Sequence, residues 1–156
     1  MGFAGFAETQ WQILGYVALA MVLGAAVGLE REAKDKPAGL RTHMLVAGAA
    51  ALLVALGDVV IMSYDLDLDQ QLLQSDPIRI MEAVITGVSF LGAGTIIRHR
   101  GKQQVEGLTT AASLLFVAGI GLCVALSQAI LAVGLTLLVL LTLRGLSYLR
   151  RQVSEE

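Results

Sequence analysis

The sequence has a single cysteine and two prolines, and only 15% of its residues are charged and 5% aromatic. Cys123 stands alone inside an apolar run, which excludes a disulfide framework and any CxxC zinc or redox motif. The 11 Lys and Arg against 13 Asp and Glu leave a net charge of -2, without the basic excess of a nucleic-acid binder. HExxH is absent, and no glycine cluster follows GxxxxGK[ST] or GxGxxG, so metalloprotease and nucleotide-binding readings have no support. What is abundant is apolar: 56% of residues are hydrophobic, 17 are glycine, and the mean hydropathy is +0.73. That exceeds what one small core can use and is the composition of a polytopic membrane protein.

Met1 to Gln10 carries no Lys or Arg, so the basic segment of a cleavable signal peptide is missing and the first apolar run stays as a helix. Hydropathy predicts five spans at about 11–29, 44–64, 77–97, 108–126 and 129–143, the first four close to the ~20 residues that cross ~30 Å of hydrocarbon and the fifth shorter, its apolar character continuing weakly to Leu149. Asp76-Pro77 reads as an N-cap followed by the proline favoured at a first helical position, and Ser127-Gln128 as a tight link between the last two spans. Residues 1–149 form one all-α transmembrane domain in this reading, and 150–156 a short tail.

The basic residues test the count. Arg31, Lys34, Lys36 and Arg41 fall in the first connection, Arg98, Arg100 and Lys102 in the third, and Arg144, Arg150 and Arg151 after the fifth span, leaving only Arg79 elsewhere. Such an excess marks the cytoplasmic side, which places the N-terminus outside and the C-terminus inside. A four-span alternative puts the three basic residues of the tail outside and is disfavoured. Small residues set the packing: Gly24 and Gly28 form a GxxxG, Gly92 and Gly94 flank Ala93, Gly119 and Gly121 mark the fourth span, and Gly39, Gly87 and Gly107 join this set. Packing within one subunit is the simpler use of these positions, and a homo-oligomer seam the alternative.

Three polar segments meet at the cytoplasmic edge in this topology. They are the Gly28 to His43 connection with Glu30, Arg31, Arg41 and Thr42, the glycine-rich end of the third span up to Arg98, and Gly107-Leu108-Thr109-Thr110 opening the fourth. Thr109 and Thr110 are expected to cap the fourth helix or bond across helices, and Arg41 to organise the edge with Glu30 or Arg31, by pairing with a carboxylate or receiving a phosphate.

These residues resemble the MgtC/SapB family of membrane proteins. The resemblance rests on Gly28, Glu30 and Arg31, on Lys36-Pro37-Ala38-Gly39-Leu40-Arg41-Thr42-His43, on Gly87 with Phe90-Leu91-Gly92-Ala93-Gly94 and Arg98, and on Val105 with Gly107-Leu108-Thr109-Thr110-Ala111-Ala112. It covers about Leu14 to Leu143. It implies a bacterial inner-membrane protein of roughly five spans, linked to growth at low magnesium and in some pathogens to survival inside host cells. The best-known member looks like an inhibitor of the F-type ATP synthase, so a membrane-protein partner is implied here. The chain ends at Glu156, which implies a short form lacking the C-terminal ACT-like module of the virulence members. Where many members carry a Trp after Thr-Thr-Ala-Ala, this sequence has Leu115 and Phe116.

Two further constellations compete. Asp58 and Glu82 lie roughly 8 Å below the outer surface at 1.5 Å per residue, where two facing carboxylates hold a cation such as Mg2+ or share a proton. Alternatively each stays hydrated, or Glu82 pairs with Arg79. Asp65, Asp67, Asp69 and Asp76 imitate a calcium loop, but Gln70 stands where glycine is needed, so a solvated acidic loop is the better reading. With His43 and His99 both at the cytoplasmic edge and Ser89 lacking a base, no catalysis and no cofactor are expected. The function expected is a non-enzymatic membrane modulator, with a divalent-cation or small-solute transporter as the alternative.

Overall fold

The structure, a computed structural model, describes residues 3–64, 77–98 and 105–153. The acidic segment with Asp65, Asp67, Asp69 and Asp76, the residues His99, Arg100 and Lys102, and the end of the tail lie outside the described residues. Five helices follow in order: α1 (Phe3–Glu32), α2 (Leu40–Tyr64), α3 (Pro77–Ala93), α4 (Leu108–Ala125) and α5 (Ala129–Val153). Thr9–Glu32, Leu40–Val60 and Leu108–Ala125 are long and apolar enough to cross a membrane, Ala129–Gly145 is a shorter apolar stretch, and α3 has 17 residues.

Helix ends are set by local chemistry. At the end of α1, Asp35 adopts the left-handed conformation (φ 51°), Asp35 N–H donates to the Glu32 carbonyl, and Lys36 N–H reaches back to the Arg31 carbonyl at 3.1 Å. That is the Schellman pattern, in which the orphan carbonyls of the last turn are satisfied. The same pattern closes α4, with Ser127 at φ 60° and Gln128 N–H bonded to the Cys123 carbonyl, which is why the three residues from Leu126 to Gln128 suffice to turn into α5. The opening of α2 is capped from a distance: Leu40 N–H donates to Glu32 Oε2 at 2.7 Å, putting a carboxylate at the positive end of the helix dipole.

The third helix departs from expectation. It stops at Ala93 rather than 97, because Gly94 and Thr95 turn the chain and Thr95 Oγ1 donates to the Gly92 carbonyl at 2.7 Å. Beyond the turn, β1 (Ile97–Arg98) pairs antiparallel with β2 (Val105–Glu106), a small hairpin that an all-α reading did not contain. Gly107 follows with φ +91°, and a Cβ there would collide with the Thr95 carbonyl, so both its conformation and its surroundings require glycine. Gly107 is also the N-cap of α4, without a side-chain cap, so Thr109 and Thr110 lie inside the first turn and do not cap it.

Helix α4 packs against all four other helices, α1 against α2 along its length, and α3 sits at the side against α2 and α4. Ala20, Val27, Ala47, Ala51, Val117, Ile120, Val124 and Ala132 fill the interior. Large apolar side chains point outward, including Trp11, Val22, Phe90, Ile130 and Leu141. Small residues inside and large ones outside is the arrangement of helices packed in lipid, where tails solvate the outer faces and close backbone approach supplies the contacts. Gly24 and Gly28 carry that approach: Cβ atoms added there would lie 2.6 Å from the His43 carbonyl oxygen and 2.7 Å from Leu40 Cα. The GxxxG is therefore used within one chain, between α1 and α2.

Candidate functional site

The last turn of α1, the first turns of α2 and α4 and a point on α5 converge on a buried polar cluster. Glu30 and Arg31 are both buried, unusual for charged groups unless they are paired. They are paired: Arg31 Nε and Nη2 each lie 2.6 Å from Glu30 Oε2. Lys34 Nζ, one turn later, sits 2.6 Å from Glu30 Oε1, an ionic contact outside hydrogen-bond geometry. Both carboxylate oxygens thus face a cation, and Lys34 also donates to the Leu143 carbonyl at 2.9 Å, tying α1 to α5.

Beside this network lies His43, fully buried. Its Nδ1 is 2.9 Å from the Gly39 carbonyl oxygen and its Nε2 is 3.0 Å from Ser113 Oγ on α4. Ser113 Oγ is in turn 2.8 Å from the Thr110 carbonyl oxygen. A serine hydroxyl beside an imidazole held by a third group has the connectivity of a hydrolase dyad. Both side chains are enclosed, however, with Ser113 3% and His43 0% exposed, so neither offers a face to a substrate.

The expected site residues divide. Glu30 and Arg31 are joined in the network, and Thr110 is buried at its edge. Arg41 is exposed, and among the described residues Glu30 pairs with Arg31 and Lys34 and not with Arg41, so its expected role in organising the cluster is corrected: Lys34 takes that place. Thr42 is half-buried and Thr109 exposed. Arg98 lies in β1, where its backbone pairs with Val105. Gly39 sits against the Glu32 carboxylate, and Gly92 meets Ala111 of α4 at 3.3 Å from an added Cβ. An added Cβ on Gly94 would meet only its own Leu91 and Phe90 carbonyls, and Gly87 has nothing within 4 Å, so neither mediates a helix contact. Gly87 and Gly94 instead line an apolar groove of about 540 Å³ between α2 and α3, with Val46, Leu53, Val84 and Phe90.

Asp58 and Glu82 are both exposed, with no ion pair or hydrogen bond between them. Among the described residues, no group of three or more His, Cys, Asp or Glu side chains gathers to hold a metal ion. In the sequence His43 and Lys34 stand out only as part of a motif and of the basic edge, and neither they nor Ser113 and Glu32 are among the expected site residues. A signal existed for His43, which continues the buried Ala47, Ala51 and Val54 face of α2 by one turn.

Apolar helices wrapped around a closed polar cluster define a multi-pass membrane protein. The chain belongs to the MgtC family, whose model matches residues 17–152. It is 39% identical over 122 residues to protein MgtC of Salmonella typhimurium, covering 78% of this chain and 46% of that protein. Protein SapB of Bacillus subtilis is 36% identical over 110 residues, covering 70% and 46%. YhiD of Escherichia coli, whose descriptive name proposes a magnesium transporter, is 41% identical over 106 residues, covering 68% and 47%. The chain spans about half the length of these relatives. No solved structure matches it.

Proposed function

We propose that this protein is a non-enzymatic modulator in the bacterial inner membrane, linked to growth under magnesium limitation and acting by helix contacts on another membrane complex such as the F-type ATP synthase. It crosses the membrane five times in this reading, N-terminus outside and C-terminus inside, because ten of the 11 basic residues then fall on the cytoplasmic side. The observation that carries the reading is the closure of the polar cluster. Glu30 is held between Arg31 and Lys34 at the end of α1, and His43 bonds the Gly39 carbonyl and Ser113, joining α2 to α4, so these buried groups are engaged with one another and with neighbouring backbone rather than lining a path. Exposed Arg41, at the first turn of α2 in the same region, is then free to meet a partner's carboxylate or a phosphate.

Complementation of a magnesium-limited growth defect tests this. Arg41→Ala is expected to insert at the wild-type level and lose activity; a fully active variant at that level removes the assignment. The name of the Escherichia coli relative favours a second reading, transport of a divalent cation with Asp58 and Glu82 at the outer entrance. A second copy of the chain would then have to supply the rest of the path.

A further inference from the structure

His43 is the most deeply buried titratable side chain among the described residues, and its two ring nitrogens have different obligations. Nδ1 faces the Gly39 carbonyl at 2.9 Å, an acceptor with no proton to give, so Nδ1 carries the hydrogen. Nε2 faces Ser113 Oγ at 3.0 Å, and that oxygen also lies 2.8 Å from the Thr110 carbonyl. A hydroxyl has one hydrogen, so Ser113 can donate to Nε2 or to Thr110, not to both.

Each choice corresponds to one protonation state of the ring. When the imidazole is neutral, Nε2 is an acceptor and takes the Ser113 hydrogen. When the ring is an imidazolium, Nε2–H donates to Ser113 Oγ, and the hydroxyl hydrogen turns to the Thr110 carbonyl. Both states satisfy every hydrogen in the chain with the heavy atoms where they stand. The second proton thus has an acceptor in place, and this matters because burying an unbonded N–H on a charged ring is costly.

We infer that His43 is a proton-binding site, and that uptake of one proton reverses the His43–Ser113 hydrogen bond between α2 and α4. The charges facing it are few. Helix α1 brings Arg31 and Glu30, the turn before α2 brings the Gly39 carbonyl, and α4 brings hydroxyls with no Asp, Glu, Lys, Arg or His along Leu108–Ala125. On its own helix, Arg41 is exposed. The proton therefore adds a cation beside a carboxylate already shared by Arg31 and Lys34. It does so where Gly28 brings α1 within contact of His43, so the α1–α2 seam is the element that feels the added charge.

The test is nitrogen-15 NMR of ring-labelled full chain in lipid nanodiscs, in a His99→Gln background so that only His43 reports. At the alkaline end the expected species is the Nδ1–H tautomer, converting to imidazolium as the pH is lowered. Ser113→Ala removes the acceptor of Nε2–H, and hydrogen bonds to charged groups are the stronger kind, so the midpoint is expected to fall by about one pH unit, a roughly tenfold loss of proton affinity. Ser113→Thr keeps the hydroxyl and is expected to hold the wild-type midpoint. An Nε2–H tautomer in the wild type, no titration while the protein stays folded, or an unchanged midpoint in Ser113→Ala would overturn the inference. The wild-type tautomer decides the hydrogen-bond assignment even where a variant fails to insert.

Discussion

Gly28 of α1 and His43 of α2 touch, and a Cβ built on the glycine would lie 3.0 Å from the Cβ of the histidine. The seam between the first two helices is this close because one residue has no side chain, and the closeness seals the imidazole from solvent. Gly28→Val is expected to force the helices apart, at an overpacking cost of about 1–3 kcal/mol or more. Gly119→Ala, where nothing lies within 4 Å, is expected to stay within about 0.5 kcal/mol of wild type. Unfolding of the two variants in mixed micelles checks the contrast; equal effects would mean that the seam is not close-packed.

Glu30 is a shared counter-ion, so the two ways of removing its network differ. Glu30→Ala leaves Arg31 buried without its carboxylate and is expected to cost about 3–5 kcal/mol, whereas a double Glu30→Leu, Arg31→Leu variant removes both charges and recovers most of that loss. Lys34→Met acts on a partly exposed pair and is expected to cost about 1 kcal/mol or less. Unfolding of all three in the same micelles gives the ranking, and a double variant worse than Glu30→Ala alone would contradict it.

Two of the residues with positive φ have opposite expectations. Gly107→Ala places a methyl against the Thr95 carbonyl at φ +91° and is expected to lose about 1–3 kcal/mol. Asp35→Gly relieves a left-handed non-glycine residue at an exposed helix end and is expected to be neutral or stabilising by about 0.5 kcal/mol. Thermal aggregation temperatures of the purified variants measure both.

Much of this was legible in the sequence. Hydropathy located all five helices, and the glycines at 24 and 28 pointed to a close helix contact, which the structure forms with α2. The end of the third helix was not legible, because Ile96 and Ile97 continue the apolar run while the turn that stops the helix lies in backbone bonds at Gly92 and Thr95. Composition also cannot tell Arg31 from Arg41. On a helix with 3.6 residues per turn, Arg41 lies about 200° around from His43, which puts it outside while His43 is inside. The facing of His43 toward Ser113 depends on α4 lying across α2, a relation 70 residues apart in the chain.

Magnesium flux into liposomes containing the purified, oriented protein tests the central claim most directly, with an Asp58→Asn, Glu82→Gln variant reconstituted beside the wild type. A modulator gives no saturable flux in either. Saturable flux in the wild type that the carboxylate variant loses would contradict modulation and move the functional site to the outer ends of α2 and α3.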